Sequence, residues 1–225
     1  MIKPGLFSKT VAADSRRQEF DIKNEQLLAL ARSIDAVFIG DSITNFWELN
    51  AYMGRNRLLI NRGIGGDTSE YVAIRLDADA IQLKPDMLFV MVGTNDFFHA
   101  HDDLWWKNPG LPCDCVLEKY RRNIDDICVK SANAGISLFL CSVLPSTIAP
   151  PYSREKCWYM TENMNSYLRD KCTYIERTYV DYHSALCESD GRNIRSEFTI
   201  DGIHPNAKAY AILSEIAKKQ MSSRR

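Results

Sequence analysis

The feature that most constrains the fold is the alternation of short apolar runs with segments of helical periodicity. The clearest run is Met87 to Val92, which is apolar on both faces, as expected for a central strand of a parallel sheet. Similar runs begin at Ala36, Leu58 and Ile136, and a last strand falls between Tyr174 and Val180. Strands separated by helices predict right-handed crossovers and a parallel sheet covered on both faces. We therefore expect an α/β fold, a three-layer α/β/α sandwich.

Four segments carry apolar side chains at helical spacing, and they cover residues 68–80, 116–134, 153–171 and 206–221. Interleaved with the apolar runs, they predict a sandwich of the flavodoxin-like kind. The segment before residue 34 lies outside this pattern, so residues 1–33 are interpreted as an N-terminal extension. No repeat or low-complexity linker interrupts the chain, and residues 1–225 are expected to form a single domain.

Charge and cysteine content exclude several classes of protein. The net charge is -1 and the charges are interspersed, so no nucleic-acid partner is expected. No apolar run is long enough for membrane insertion, and the N-terminus lacks the pattern of a secretory signal. The seven cysteines are scattered and odd in number, which favours reduced thiols and a cytoplasmic location. The oligomeric state is left open, and a homo-oligomer is allowed.

The Cys113-x-Cys115 pair raises the question of a metal site. Its spacing is shorter than that of common zinc sites, and no second Cys or His pair completes a ligand set. We interpret both residues as loop cysteines and expect no metal.

Two short segments far apart supply the parts of a hydrolytic triad. Gly40-Asp41-Ser42-Ile43-Thr44 places Ser42 directly after a predicted strand, and ligands of open α/β sheets bind at the carboxyl ends of strands. Asp201-Gly202-Ile203-His204 supplies a carboxylate and an imidazole three residues apart. Asp201 can therefore reach Nδ1 of His204 and leave Nε2 facing Ser42, in the chain order Ser, Asp, His.

Each of these residues also has a purely structural alternative. Ser42 could be the N-cap of a helix that begins near Ile43, and Asp201 could cap the final helix, which Pro205 is suited to open. Asp and His could also be metal ligands, although no third ligand lies nearby in the sequence. Three histidines are rival bases, of which the first two are interpreted as surface or substrate-wall residues and the third as structural: His99, His101 and His183.

Two further segments can supply oxyanion donors: Gly63-Ile64-Gly65-Gly66-Asp67-Thr68 and Gly93-Thr94-Asn95-Asp96. The first fails the dinucleotide fingerprint, because position 68 is Thr, and no P-loop lysine follows. A glycine at position 66 would let the backbone approach the reacting carbon without obstruction by a side chain. Ordinary turns are the alternative for both segments.

Taken together and in order, these four segments resemble the motif blocks of the SGNH hydrolases, also called the GDSL esterase/lipase family. The resemblance extends over most of the chain and implies about five strands in the order 2-1-3-4-5. It also implies a catalytic triad of Ser42, Asp201 and His204. The implied oxyanion hole consists of the N–H groups of Ser42 and Gly66 and the side-chain amide of Asn95.

The irregular stretch from Phe97 to Cys115 is interpreted as a wall of the substrate site, with Phe97, Trp105 and Trp106 as candidate contacts. Asp41 is expected to support the turn that carries Ser42 or to contact the substrate.

The resemblance implies hydrolysis of small carboxylic esters through an acyl-enzyme, with no metal or organic cofactor. The paired tryptophans at 105 and 106 would suit stacking on a sugar ring, which favours short-chain or carbohydrate O-acetyl esters. Three alternatives stay open. Two are enzymes, namely a lysophospholipase or platelet-activating-factor acetylhydrolase-like protein and an acyl-thioesterase. The third is a non-catalytic flavodoxin-like binding module.

Overall fold

The computed structural model describes residue 2 and residues 11–102, 109–148, 152–174 and 178–222. The strands are β1 (Ala36–Gly40), β2 (Leu59–Gly63), β3 (Met87–Met91), β4 (Ser137–Cys141) and β5 (Thr178–Val180). They form one sheet in the order β2-β1-β3-β4-β5, and β1 pairs in parallel with both of its neighbours. The α/β class expected from the sequence and the strand order implied by the family resemblance are confirmed.

Helices lie between the strands and on both sides of the sheet. In chain order they are α1 (Val11–Leu30), α2 (Ser42–Asn45), α3 (Leu49–Met53), α4 (Ser69–Asp79), α5 (Cys113–Asn133), α6 (Arg154–Tyr174), α7 (His183–Leu186) and α8 (Ala207–Ser222). The four helices expected from periodicity are α4, α5, α6 and α8. Cys113 and Cys115 lie in the first turn of α5, so their interpretation as loop cysteines is wrong. No described helix is long and apolar enough to cross a lipid bilayer.

A ladder of phenylalanines shows why the apolar runs form adjacent strands. Phe38 of β1 stacks on Phe89 of β3, which stacks on Phe139 of β4, with ring centroids 4.4 Å apart in each pair. All three side chains are buried, as parallel strands covered on both faces require. Offset aromatic pairs contribute about 0.5–1.5 kcal/mol each beyond their burial, so the ladder also favours this strand order.

The chain divides into two compact units. The first comprises Met1–Met91 and Asn123–Phe139, and the second comprises Val92–Arg122 and Leu140–Arg225. Strands β1 to β3 belong to the first unit, and α6, β5, α7 and α8 belong to the second. The single domain expected from the sequence stays a prediction.

The segment before residue 34, interpreted above as an extension, contains helix α1, which buries one face against the rest of the first unit. Nη1 of Arg17 lies 2.7 Å from the Asp79 carboxylate, and the Asn24 amide donates to the carbonyl of Ala78 at 2.9 Å. The ring of Phe20 is buried as well. Because the inward face of α1 is partly charged and polar, a search for apolar periodicity does not detect it.

Candidate active site

The nucleophile candidate Ser42 is the first residue of α2 and follows β1 after one residue. The N-cap of this helix is Asp41, whose Oδ1 accepts the N–H of Ile43 at 2.9 Å. The carbonyl of Asp41 also accepts the N–H of Asn45 at 2.8 Å. The alternative in which Ser42 is the N-cap is therefore wrong, because Asp41 has that role.

Asp41 itself is 1% exposed. A carboxylate this deeply buried and bonded to the backbone supports the turn, as one of its two expected roles requires. The other expected role, direct contact with the substrate, is wrong, because a side chain that is this deeply buried is not accessible to a substrate.

The loop that contains Gly65 and Gly66 lies beside Ser42. A Cβ placed on Gly65 would lie only 3.7 Å from Cβ of Ser42. The N–H of Asp67 donates to the carbonyl of Ile64 at 3.2 Å and closes the loop into a tight turn. Gly66 has a φ of +84°, and no protein atom lies within 4 Å of a Cβ built there. The positive φ, rather than crowding by the protein, therefore explains why glycine is suited to this position.

Asp201 and His204 form a hydrogen-bonded pair. Oδ2 of Asp201 lies 2.7 Å from Nδ1 of His204, while Oδ1 accepts the backbone N–H groups of Ile203 at 3.0 Å and His204 at 2.8 Å. A carboxylate at Nδ1 favours the tautomer with the proton on that atom and makes Nε2 the basic nitrogen. This is the orientation that a general base needs.

The same contacts determine the ionisation of Asp201. Burial raises the pKa of its carboxyl group, but hydrogen bonds from the backbone N–H of His204, the imidazole and the N–H of Ile203 outweigh burial. The net result is a pKa below the usual range. Asp201 therefore carries its negative charge over the whole neutral range, where it can hold the imidazole.

Backbone contacts hold the loop that carries this pair. The carbonyl of Gly202 accepts the N–H of Thr147 at 2.7 Å, and the N–H of Gly202 donates to Oγ1 of Thr199 at 2.8 Å. The Thr199 hydroxyl donates in turn to the carbonyl of His204 at 3.0 Å. Thr147 and Thr199 were missed by sequence reasoning, because nothing in the motif indicates which segments pack against it.

The helix that follows has its own cap. Oδ1 of Asn206 accepts the N–H groups of Lys208 at 3.0 Å and Ala209 at 3.2 Å, at the start of α8. The alternative in which Asp201 caps the last helix is therefore wrong. Pro205 lies before the cap and does not open the helix.

Asn95 lies in the turn after β3, in the second unit. The N–H of Asp96 donates to the carbonyl of Gly93 at 3.1 Å and closes this turn, and Asn95 is half-buried. Ser42 and Gly66 belong to the first unit, whereas Asp201 and His204 belong to the second. The assembly of all five residues into one site stays a prediction.

The expected substrate wall needs one correction. Phe97 is fully buried and packs on Phe98, with ring centroids 4.8 Å apart, so its side chain belongs to the interior. Trp105 and Trp106 lie outside the described residues. The stretch is less irregular than expected, since residues 97–100 form a 3-10 turn and α5 begins at Cys113.

Two of the three rival histidines have side-chain contacts of a structural kind. Nδ1 of His101 lies 3.0 Å from the carbonyl of Phe97, and Nδ1 of His183 lies 3.1 Å from that of Val143. Neither of these contacts is with a carboxylate, in contrast to His204. Among the described residues, no group of three or more His, Cys, Asp or Glu side chains is placed to hold a metal ion.

A half-buried serine just after the end of a strand, a glycine turn beside it and an oriented Asp–His pair are the components of serine hydrolase chemistry. The model of the GDSL-like lipase/acylhydrolase family matches residues 38–212, and the chain belongs to this family. The expectation that the chain belongs to the GDSL esterase/lipase family is thus confirmed.

Two curated relatives are similar to the chain. The uncharacterised lipoprotein YqeF of Bacillus subtilis (strain 168) is 47% identical over 159 residues, which cover 63% of this chain and 61% of YqeF. The chain thus spans less than two thirds of that relative. An acetylxylan esterase of Geobacillus stearothermophilus is 24% identical over 161 residues, which cover 69% of this chain and 68% of the esterase.

Solved structures agree with the fold. A GDSL-like lipase of Bacteroides thetaiotaomicron superposes with a TM-score of 0.74 at 22% identity, covering 92% of this chain and 98% of the lipase. This likeness supports the architecture described above.

The cap on α2 gives a first prediction. The Asp41→Ala variant is expected to lose about 1 kcal/mol of stability, since the cap bond to Ile43 is removed. Its turnover should also fall, because the turn that carries Ser42 loosens. Asp41→Asn keeps an acceptor oxygen and should stay close to the parent in both respects. Thermal unfolding and hydrolysis of p-nitrophenyl acetate provide the measurements, and equal losses in the two variants would contradict the capping role.

Proposed function

We propose that this protein is a serine esterase in which Ser42 is the nucleophile, His204 the general base and Asp201 the group that orients the imidazole. The observation that carries this proposal is the 2.7 Å contact between Asp201 and Nδ1 of His204. Two backbone N–H groups hold the same carboxylate, so the imidazole rests on a fixed and charged partner.

Acylation begins when Nε2 of His204 removes the proton of the Ser42 hydroxyl. Oγ then forms a bond to the ester carbonyl carbon, and the carbonyl oxygen takes up the negative charge. The tetrahedral intermediate collapses, the bond to the alkoxy group breaks, and His204 returns the proton to the leaving alcohol. Water then repeats these steps on the acyl-enzyme and releases the acid.

The proposed oxyanion donors are the N–H groups of Ser42 and Gly66 and the side-chain amide of Asn95. The closeness of Gly65 to Ser42 supports the first two, because it brings the loop to the nucleophile. Donors held in place before the reaction stabilise the developing charge at little reorganisation cost, and each is worth about 10²–10³-fold in turnover.

We further propose that the acyl group is short and that acetyl esters of carbohydrates are the preferred substrates. The similarity to an acetylxylan esterase supports this choice. The adjacent tryptophans at 105 and 106 also suit it, because an indole ring offers an apolar face to a sugar ring.

Acyl-chain profiling tests this proposal. We expect kcat/KM to be highest for p-nitrophenyl acetate and to fall at least tenfold by the decanoyl ester. We also expect release of acetate from acetylated xylo-oligosaccharides. A preference for decanoyl esters, together with hydrolysis of lysophosphatidylcholine, would favour the lysophospholipase alternative. Absence of hydrolysis of every ester in the series would contradict the esterase proposal itself.

A further inference from the structure

A fully buried arginine contacts the loop that contains Gly65 and Gly66, which we call the oxyanion loop. Arg75 in the middle of α4 is 0% exposed. Its Nε donates to Oδ2 of Asp67 at 2.7 Å, and its Nη2 donates to the carbonyl of Gly40 at 2.9 Å. Its Nη1 donates to the carbonyl of Arg62 at 2.8 Å and to Oδ2 of Asp79 at 3.1 Å. One planar guanidinium thus holds four acceptors.

The positions of two of these acceptors connect Arg75 to the proposed chemistry. Gly40 ends β1 and is two residues before Ser42, whereas Asp67 directly follows Gly66. The guanidinium fork therefore joins the end of the nucleophile strand to the oxyanion loop. The carbonyl of Gly40 also accepts the N–H of Ile64 at 3.0 Å, which gives the same two segments a second link.

The local charges are costly to bury. Asp67 is 3% exposed, Asp79 is 0% exposed, and burial lowers the pKa of Arg62 to about 10 despite the nearby Asp79. Replacing a buried ion network by apolar groups of similar volume is often neutral or stabilising, so stability alone explains such a network poorly. A function that needs fixed geometry explains it better.

We propose that Arg75 is a positioning residue, which sets the Gly66 N–H relative to Ser42 by holding Asp67 and the carbonyl of Gly40 on one rigid group. Arg75 touches no substrate in this role. The inference rests on the proposed function, since it takes Ser42 as the nucleophile and Gly66 as an oxyanion donor.

The test compares Arg75→Lys with Arg17→Lys. Lysine keeps the positive charge that buried Asp67 and Asp79 require, but a point-like ammonium cannot reproduce the planar fork. Arg17 is a matched control, because it is 2% exposed and its ion pairs are with Asp79 and Asp21 rather than with the loop. Both variants should lower the unfolding temperature.

Only Arg75→Lys is expected to change the kinetics at a temperature where both variants are folded. We expect its kcat for p-nitrophenyl acetate to fall about 10–100-fold, the scale of a misplaced group in an active site, with KM within twofold of the parent. Inactivation by an uncharged organophosphate, which forms a tetrahedral adduct on the serine, should slow by a similar factor. Arg17→Lys should keep both rates within twofold.

A second variant tests the route through Asp67. Asp67→Asn keeps an oxygen for Nε of Arg75, so a smaller loss of kcat is expected. In the double variant with Arg75→Lys, the fold-loss of kcat should be smaller than the product of the two separate fold-losses, because both substitutions act on one contact.

Parental kcat in folded Arg75→Lys, or equal losses of kcat in the Arg75 and Arg17 variants, would overturn the inference. Unchanged activity in Ser42→Ala would instead overturn the proposed function, so the two failures are distinguishable.

Discussion

The Ser42→Ala and His204→Ala variants are expected to lose turnover of p-nitrophenyl acetate by about 10⁶-fold each, because nucleophile and base act as one unit. For the same reason the double variant should be no slower than either single variant. The residual rate comes from the oxyanion donors and from binding, which do not depend on these two side chains. Steady-state kinetics on purified variants, with circular dichroism to verify folding, provides the measurement.

Variants of the rival histidines serve as controls. His99 is exposed, and His99→Ala should keep parental turnover. His183→Asn keeps a polar group near the carbonyl of Val143 and should also stay active, with at most a loss of stability. Parental activity in His204→Ala, or a loss of comparable size in His99→Ala, would contradict the assignment of the base.

The ionisation of Asp201 adds a pH dependence with a definite sign. Its pKa is lowered in the folded protein, so its charge contributes stability above the pKa of an unfolded aspartate. This contribution is lost as the pH falls through the lowered folded value. We therefore expect that any loss of activity in mildly acidic solution arises from a group other than Asp201, and a pH profile of kcat checks this.

The apolar runs were sufficient to predict the strands, because buried parallel strands leave a strong signal in the sequence. The order of the strands in the sheet came from the resemblance to the SGNH hydrolases. Met87 to Met91 is apolar on both faces and became the central strand β3, at the position expected for it. The aromatic side chains of Phe38 and Phe89 support the same pairing, since these two residues are in register. The position and the burial of these strands can therefore be predicted from the residues of each strand.

Polar burial and aromatic burial account for what the sequence did not predict. The inward face of α1 carries Arg17 and Asn24, and Arg75 lies between buried positions of α4, so charged side chains that bind one another look like surface residues. Phe97 has the opposite problem. An aromatic residue in a long loop can line a substrate site or pack in the interior. Its contact with Phe98 does not distinguish the two, because Phe98 is adjacent in sequence in either case.

Replacing Gly202 by alanine is expected to damage the Asp201–His204 pair severely. Gly202 has a φ of +88°, and a Cβ there would lie 2.4 Å from the carbonyl oxygen of Thr147. The backbone must move to relieve this clash, which breaks the 2.7 Å bond from the Thr147 N–H to the carbonyl of Gly202. Because misplacement by about 1 Å can cost about 10²-fold in rate, we expect kcat to fall at least that far.

Gly191→Ala is the matched control, because Gly191 has the same kind of backbone conformation as Gly202 but no clash. Gly191 also has a positive φ, of +72°, but no protein atom lies within 4 Å of a Cβ built there. The Gly191→Ala variant should lose only the free energy needed to place alanine at a positive φ, about 1–2 kcal/mol of stability. Its turnover should stay close to that of the parent. If Gly202→Ala lost no more turnover than Gly191→Ala, then the contact with Thr147 does not hold the loop that carries Asp201 and His204. The position of His204 would then depend on Thr199 and the Asp201 carboxylate instead.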